Sequence, residues 1–128
     1  MGLQTREIVD LSVELMKSKK AQDILVMDLR GLTDITDYYV LCTGMTTTQV
    51  RAISEAVTEG MEERREAPWH VEGLEQQQWV LVDFVDVVVH VFLPEIREFY
   101  NIERLWGDSV TEEISYSSDA PCAQAASL

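Results

Sequence analysis

Few side chains in this sequence have the chemistry of a catalytic site, and the most suggestive ones fall on two neighbouring apolar runs. Asp83 lies near the end of the run 79–84, and His90 lies within the run 87–93. If the chain reverses between them, the runs pair as an antiparallel hairpin with Asp83 and His90 on one face. A carboxylate beside a histidine can orient a general base. Neither run carries a Ser, Thr or Cys nucleophile, so the sequence favours a buried histidine satisfied by the carboxylate.

The residue types and their spacing give little support for a metal-binding site. The only histidines are His70 and His90, and they do not share one helix at the four-residue spacing that converges on zinc. Cys42 lies inside an apolar run, where a cysteine usually behaves as a small core residue. With Cys122 it makes two cysteines, too few for a disulfide framework. The sequence therefore predicts no metal site and no cofactor.

A nucleotide-handling enzyme, similar to a nucleotidyltransferase, is the alternative function. The stretch GMTTT at 44–48 follows a predicted strand and opens a predicted helix, where free backbone N–H groups can bind an anion. It lacks the lysine of a P-loop and the glycine spacing of a dinucleotide site. The acids Asp83 and Asp86 have two residues between them, whereas nucleotidyltransferases place two metal-binding acids one residue apart, soon after a glycine turn. The favoured interpretation is an ordinary strand-to-helix turn with a Thr46 cap.

The elements that would position these residues form an α/β pattern. Apolar residues at helical spacing predict helices at 5–20 and 47–65, and Pro94 can open a short third helix. Runs rich in β-branched and aromatic residues predict strands at 23–28, 38–43, 69–72, 79–84 and 87–93. The last two runs are apolar on both faces, which is typical of central strands. The sequence thus predicts an α/β domain over residues 1–107, with a mixed β-sheet of about five strands and flanking helices.

The charge balance limits the partners that this chain can bind. Its 128 residues include 10 Lys and Arg against 23 Asp and Glu, a net charge of −13. Such a chain is poorly suited to gripping nucleic-acid phosphates or an anionic membrane, whereas a basic protein is a natural partner. Residues 108–128 carry four of the acids, no base and no apolar periodicity, so they are predicted to form a disordered acidic tail.

No transmembrane or secretory segment is predicted. No run approaches the roughly 18–20 apolar residues of a membrane-spanning helix. The first twenty residues lack the uninterrupted apolar segment of a signal peptide. We therefore expect a cytoplasmic protein that does not associate with membranes.

Several linked stretches, in one order, resemble the ribosomal silencing factor family, also called RsfS or Iojap-like proteins. They are GLTDITDY at 31–38, LCTG at 41–44, VRAI at 50–53, VEG at 71–73, WVLVD at 79–83, DVVVHVF at 86–92, REFY at 97–100 and LW at 105–106. Each stretch is weak alone, but together they span most of residues 5–107. The family usually has Gly between the two hairpin acids, where this chain has Val85, a β-branched residue that disfavours positive φ.

The resemblance implies a fold related to nucleotidyltransferases but without their catalytic acids, and no enzymatic activity. It implies binding to the large ribosomal subunit through a small basic ribosomal protein, number fourteen of that subunit, on the intersubunit face. Occupying that face would block the small subunit sterically and repress translation when nutrients are short. Organellar members of the family act in large-subunit assembly, and free members are often homodimers.

The resemblance also assigns roles to particular residues. Those expected to bind the partner are Trp79, Val80, Arg97 and Tyr100. Those expected to have structural roles, in turn capping and in a satisfied polar pair, are Asp37, Asp83, Asp86 and His90. From the residue types alone, the large aromatic residues Trp79, Tyr100 and Trp106 suit either core packing or an interface.

Overall fold

A computed structural model describes residues 3–115 of the chain as four helices and six strands. The helices are α1 (Thr5–Ser18), α2 (Thr47–Glu63), α3 (Pro94–Tyr100) and α4 (Ile102–Leu105). The strands are β1 (Gln22–Asp28), β2 (Tyr38–Thr43), β3 (His70–Glu72), β4 (Trp79–Asp83), β5 (Val87–Phe92) and β6 (Val110–Glu113). The predicted helices and strands are confirmed to within a few residues at their ends.

All six strands form one mixed sheet in the order β3-β4-β5-β2-β1-β6. The pair β2 and β5 is parallel and every other neighbouring pair is antiparallel. The chain passes from β2 to β5 through α2 and the two strands β3 and β4. The predicted mixed α/β sheet is confirmed, with six strands rather than about five.

The additional strand is β6, which lies in the segment expected to be a disordered tail. It pairs antiparallel with β1, from Leu25 opposite Glu113 to Asp28 opposite Val110. All four residues of β6 are exposed, so its sequence carries no apolar pattern. Backbone hydrogen bonds do not require one, and for this reason residues 110–113 escape prediction. The rest of the predicted tail, residues 116–128, lies outside the described residues.

The main core lies between one face of the sheet and the helices α1 and α2. Each helix buries an apolar stripe, which includes Val9 and Met16 on α1 and Ile53 and Val57 on α2. The two helices approach closely at Gly60, where an added Cβ would lie 2.5 Å from a methyl carbon of Leu15. A larger residue at this position would push the helices apart, because interiors are packed without spare volume.

The opposite face of the sheet is covered by the short helices α3 and α4. A second buried cluster lies there, formed by Met27, Leu29, Leu41 and Phe92, with Ile96 of α3 and Ile102 of α4 packed against it. Every residue of β5 is buried, which confirms for this strand the prediction of a central strand covered on both faces. For β4 that prediction is wrong, because Trp79, Leu81 and Asp83 are only half-buried on this second face. This second face also carries the candidate site.

The β4–β5 hairpin has the predicted register, with Leu81 opposite His90. Its turn places Val85 at φ 76°, the left-handed region that a β-branched residue disfavours. The Asp86 N–H donates to the Phe84 carbonyl at 3.0 Å, a bond between residues two apart that is typical of a γ-turn. The carboxylate of Asp83 accepts from the Val85 N–H at 2.7 Å, so Asp83 has the expected capping role.

Candidate partner-binding site

Trp79 begins β4 and lies half-buried on the second face of the sheet. Its indole Nε1–H donates to Nδ1 of His90 at 3.1 Å. The turn before β4 brings Gly73, at φ 89°, so close that an added Cβ would lie 2.0 Å from the Trp79 carbonyl oxygen. The position of Trp79 is therefore fixed from two sides, by the imidazole of His90 and by the backbone of a turn that only glycine fits.

His90 is the only polar residue of β5 and is 3% exposed. The expected pairing with the Asp83 carboxylate is wrong, because that carboxylate caps the hairpin turn and the imidazole accepts its hydrogen bond from Trp79. Burial lowers the pKa of His90 to about 4. The ring is therefore neutral at physiological pH, as an acceptor at Nδ1 requires.

Three aromatic side chains extend from this point toward solvent, and we call Trp79, Tyr100 and Phe99 the aromatic row. The ring centroids of Trp79 and Tyr100 lie 4.9 Å apart, and those of Tyr100 and Phe99 lie 5.0 Å apart. The exposed fraction is 54% for Tyr100 and 79% for Phe99. Exposed, contiguous aromatic side chains are typical of protein interfaces, because each ring buries a large area on contact.

Phe99 is a candidate that the sequence reasoning missed. It was not among the residues expected to bind the partner. Ile96, three residues earlier on α3, packs on the second cluster, whereas Phe99 is 79% exposed. A seven-residue helix has no full second turn on which periodicity could distinguish its two sides.

Two of the four residues expected to bind the partner have internal positions instead. Val80 is fully buried in the main core, because neighbouring residues of a strand point to opposite faces and Trp79 faces the other way. Arg97 has a side chain only 12% exposed, held in a salt bridge with Glu103 at 3.1 Å. Its Nη1 also donates to the Asp23 carbonyl at 2.7 Å. Arg97 therefore attaches α3 and α4 to the start of β1 and lies beside, not within, the exposed surface.

Trp106, the third of the large aromatic residues that suit either a core or an interface, packs on the second cluster. Its ring meets that of Tyr39 edge-on, with centroids 6.3 Å apart. Burial raises the pKa of Tyr39, and a hydrogen bond with Trp106 partly opposes that shift. For Trp106 the core interpretation is therefore the better one.

The glycine turn considered for nucleotide binding has a packing role. An added Cβ on Gly44 would lie 2.8 Å from a methyl carbon of Val50, so the glycine allows α2 to pack close to the end of β2. The Thr46 hydroxyl accepts from the Gln49 N–H at 3.0 Å and caps α2 as predicted. The Gln49 side chain accepts from Met45 N–H at 2.7 Å, so two of the N–H donors at this helix start are satisfied within the chain.

The part of the chain that the structure describes offers little support for metal or thiol chemistry. Residues 3–115 contain no group of three or more His, Cys, Asp or Glu side chains that could hold a metal ion. Burial raises the pKa of the Cys42 thiol, which disfavours a reactive thiolate. None of the described helices has the length and apolar character needed to span a bilayer.

The fold and the site together define a class of small α/β domain in which one sheet face is closed by two long helices and the other carries an exposed aromatic surface. Comparison with known proteins gives the family within that class. A profile of the family described as "Ribosomal silencing factor during starvation" matches residues 3–127. The chain belongs to the ribosomal silencing factor family, as its sequence motifs suggest.

Relatives in this family cover most of the chain. A ribosomal silencing factor from Halalkalibacterium halodurans is 37% identical over 112 residues, which is 88% of this chain and 96% of the relative. A mouse protein named for mitochondrial assembly of the ribosomal large subunit is 33% identical over 77% of this chain and 44% of its own length. A crystal structure of a Chromobacterium violaceum protein superposes with a TM-score of 0.80 at 38% identity, covering 82% of this chain and 88% of that one.

Proposed function

We propose that this protein silences ribosomes by binding the large subunit through its small basic protein fourteen, on the intersubunit face. Bound there, it excludes the small subunit sterically and represses translation. The observation that carries the proposal is an exposed aromatic row on a member of the ribosomal silencing factor family. The mouse relative, named for assembly of the large subunit, supports the choice of subunit.

The aromatic row supplies the contact surface in this proposal. Tyr100 and Phe99 project from the sheet, and Trp79 forms their half-buried base. Trp and Tyr are enriched among the few residues that supply most of the binding energy at an interface, and truncating such a residue costs about 2 kcal/mol or more. Arg97 contributes indirectly, because its salt bridge to Glu103 holds α3 and α4, and with them the row, against the sheet.

Charge complementarity supports a basic protein as the point of contact. The chain carries a net charge of −13 and is therefore repelled by the phosphates of ribosomal RNA. A basic ribosomal protein attracts it, and such attraction mainly raises the association rate. The same proposal includes a cytoplasmic location, a homodimer in the absence of ribosomes, no catalytic activity, no cofactor and no direct nucleic-acid specificity.

Co-sedimentation with purified large and small ribosomal subunits tests the proposal. We expect the protein to sediment with large subunits only, and Phe99→Ala and Trp79→Ala to weaken that binding, the latter by about 2 kcal/mol or more. Phe99 is 79% exposed, so its truncation leaves the fold intact. The matched control is Trp69→Ala, which truncates an aromatic residue 74% exposed but outside the row.

Two outcomes would contradict the proposal. Sedimentation with neither subunit, or with the small subunit alone, would exclude the function itself. Equal weakening by Trp69→Ala and Phe99→Ala would show that the aromatic row is not the contact surface. Circular dichroism of each variant separates a loss of contact from a loss of fold.

A further inference from the structure

The fully buried strand β5 contains one polar residue, His90, whose presence there requires a physical explanation. His90 is buried in contact with the ring of Tyr39, at a centroid distance of 4.6 Å, and with that of Phe92, at 5.9 Å. A polar side chain in such a place destabilises the fold unless its hydrogen bonds are made. Among residues 3–115, Nε2 of His90 has no hydrogen-bond partner. The bond from the Trp79 indole to Nδ1 is thus the directional contact that the ring makes.

The direction of that bond fixes the state of both rings. An indole nitrogen can only donate, so Nδ1 of His90 must be unprotonated and Nε2 must carry the proton. Burial keeps the imidazole neutral by lowering its pKa to about 4. Because the Nε1–H of Trp79 is already used inside the chain, the exposed part of this indole offers only its π surface and C–H edge.

We propose that His90 is a positioning residue for the partner-binding site, acting through the indole N–H of Trp79 to hold that ring at the base of the aromatic row. This inference rests on the proposed function and deepens it. The indole so held meets its partner through its ring and not through its N–H. The matching group on the partner is an apolar side chain or the cation of a Lys or Arg, which aromatic faces attract.

The geometry makes this role specific to the acceptor atom of His90. Trp79 also contacts Phe92 and Tyr100, with centroids 5.4 and 4.9 Å away, but ring contacts of this kind permit sliding and rotation. A hydrogen bond of 3.1 Å to one fixed atom removes that freedom. A ring already held in its bound orientation loses less entropy when the partner docks.

A pair of substitutions tests this role. His90→Asn keeps an acceptor near the position of Nδ1, whereas His90→Leu removes it while retaining apolar bulk. We expect His90→Leu to weaken large-subunit binding about tenfold, the scale of one hydrogen bond, and His90→Asn to stay within about threefold of the wild type. The indole Hε1 resonance of Trp79, assigned with Trp79→Phe, should move upfield in His90→Leu and stay near its position in His90→Asn.

A double-mutant cycle separates positioning from a general role in the core. If His90 acts through the indole N–H, then His90→Leu has no further effect on binding in a Trp79→Phe background, which already lacks that N–H. Additive losses, or a Trp79 resonance that is unchanged in His90→Leu, would overturn the inference. Failure of the wild type to sediment with large subunits would instead refute the proposed function, and the indole resonance would still decide whether His90 holds Trp79.

Discussion

The hairpin turn contains a backbone conformation that its residue disfavours, and glycine should be more stable there than alanine. Val85 lies at φ 76° and is 54% exposed. The strained residue is kept in place by its neighbours, since Val85 N–H donates to the Asp83 carboxylate and Asp86 N–H donates to the Phe84 carbonyl. Glycine adopts this conformation without steric penalty, so Val85→Gly should relieve the strain without altering the turn.

The magnitude follows from comparing glycine with alanine at this position, because both remove the valine side chain. An L-residue in the left-handed region costs about 1–2 kcal/mol, a penalty that Val85→Ala keeps and Val85→Gly removes. Against this, a glycine variant is less stable than an alanine variant by about 0.4–1 kcal/mol, because glycine gives the unfolded chain more conformational freedom. The midpoints of these two ranges make the glycine variant more stable than the alanine variant by about 0.8 kcal/mol, and at most by about 1.6 kcal/mol.

Urea denaturation of the two variants measures this difference, provided that their m values agree. The matched control is the same pair of substitutions at Val110, which is exposed in β6 and lies outside the residues with positive φ. There, alanine should be the more stable variant. An alanine variant as stable as the glycine variant at position 85 would refute the left-handed turn.

Three further predictions concern the residues that support the site. Gly73→Ala should lower the free energy of unfolding by at least about 2 kcal/mol in urea denaturation, because the new Cβ meets the Trp79 carbonyl oxygen 2.0 Å away at a φ of 89°. Arg97→Met should lower it by about 2 kcal/mol, since Glu103 loses a charged partner. Adding Glu103→Gln should then lower it no further, and an additive loss would contradict the salt bridge. The pKa of His90 is lowered from 6.5 to about 4 in the folded state. Between these two pH values only the unfolded state takes up a proton, so the free energy of unfolding decreases as the pH is lowered. From pH 7.5 to 5 the wild type should lose about 2 kcal/mol more than His90→Asn, and parallel pH curves would exclude this linkage.

The regular elements were predictable because their patterns are set by burial. The β4–β5 register followed from two apolar runs and a short turn, and the two-sided burial of β5 followed from apolar residues on both of its faces. β6 was not predictable on these grounds, since it contributes backbone hydrogen bonds and no buried side chain. Edge strands of this kind leave little trace in hydrophobic patterning.

The site shows where the sequence stops being informative. Register places both Trp79 and Asp83 diagonally across from His90, because each lies two residues from Leu81, the residue directly opposite. Diagonal neighbours on either side are within reach of a long side chain, so spacing alone does not choose between them. The choice depends on the turn, where the Val85 N–H engages the Asp83 carboxylate and leaves Trp79 to meet the imidazole.

The edge of the sheet at β6 also affects how this protein behaves at high concentration. β1 is a run of Ile, Leu, Val and Met between acids, the kind of segment that pairs with other chains when its edge is open. β6 occupies that edge with Glu112 and Glu113 exposed, and Glu112 also forms a salt bridge with Arg6 of α1 at 3.1 Å. A strand of four residues offers little backbone for further pairing, and an exposed carboxylate such as Glu113 disfavours the approach of a second sheet. We therefore expect β6 to protect the apolar strand β1 from pairing with other chains, although it contributes almost nothing to the core.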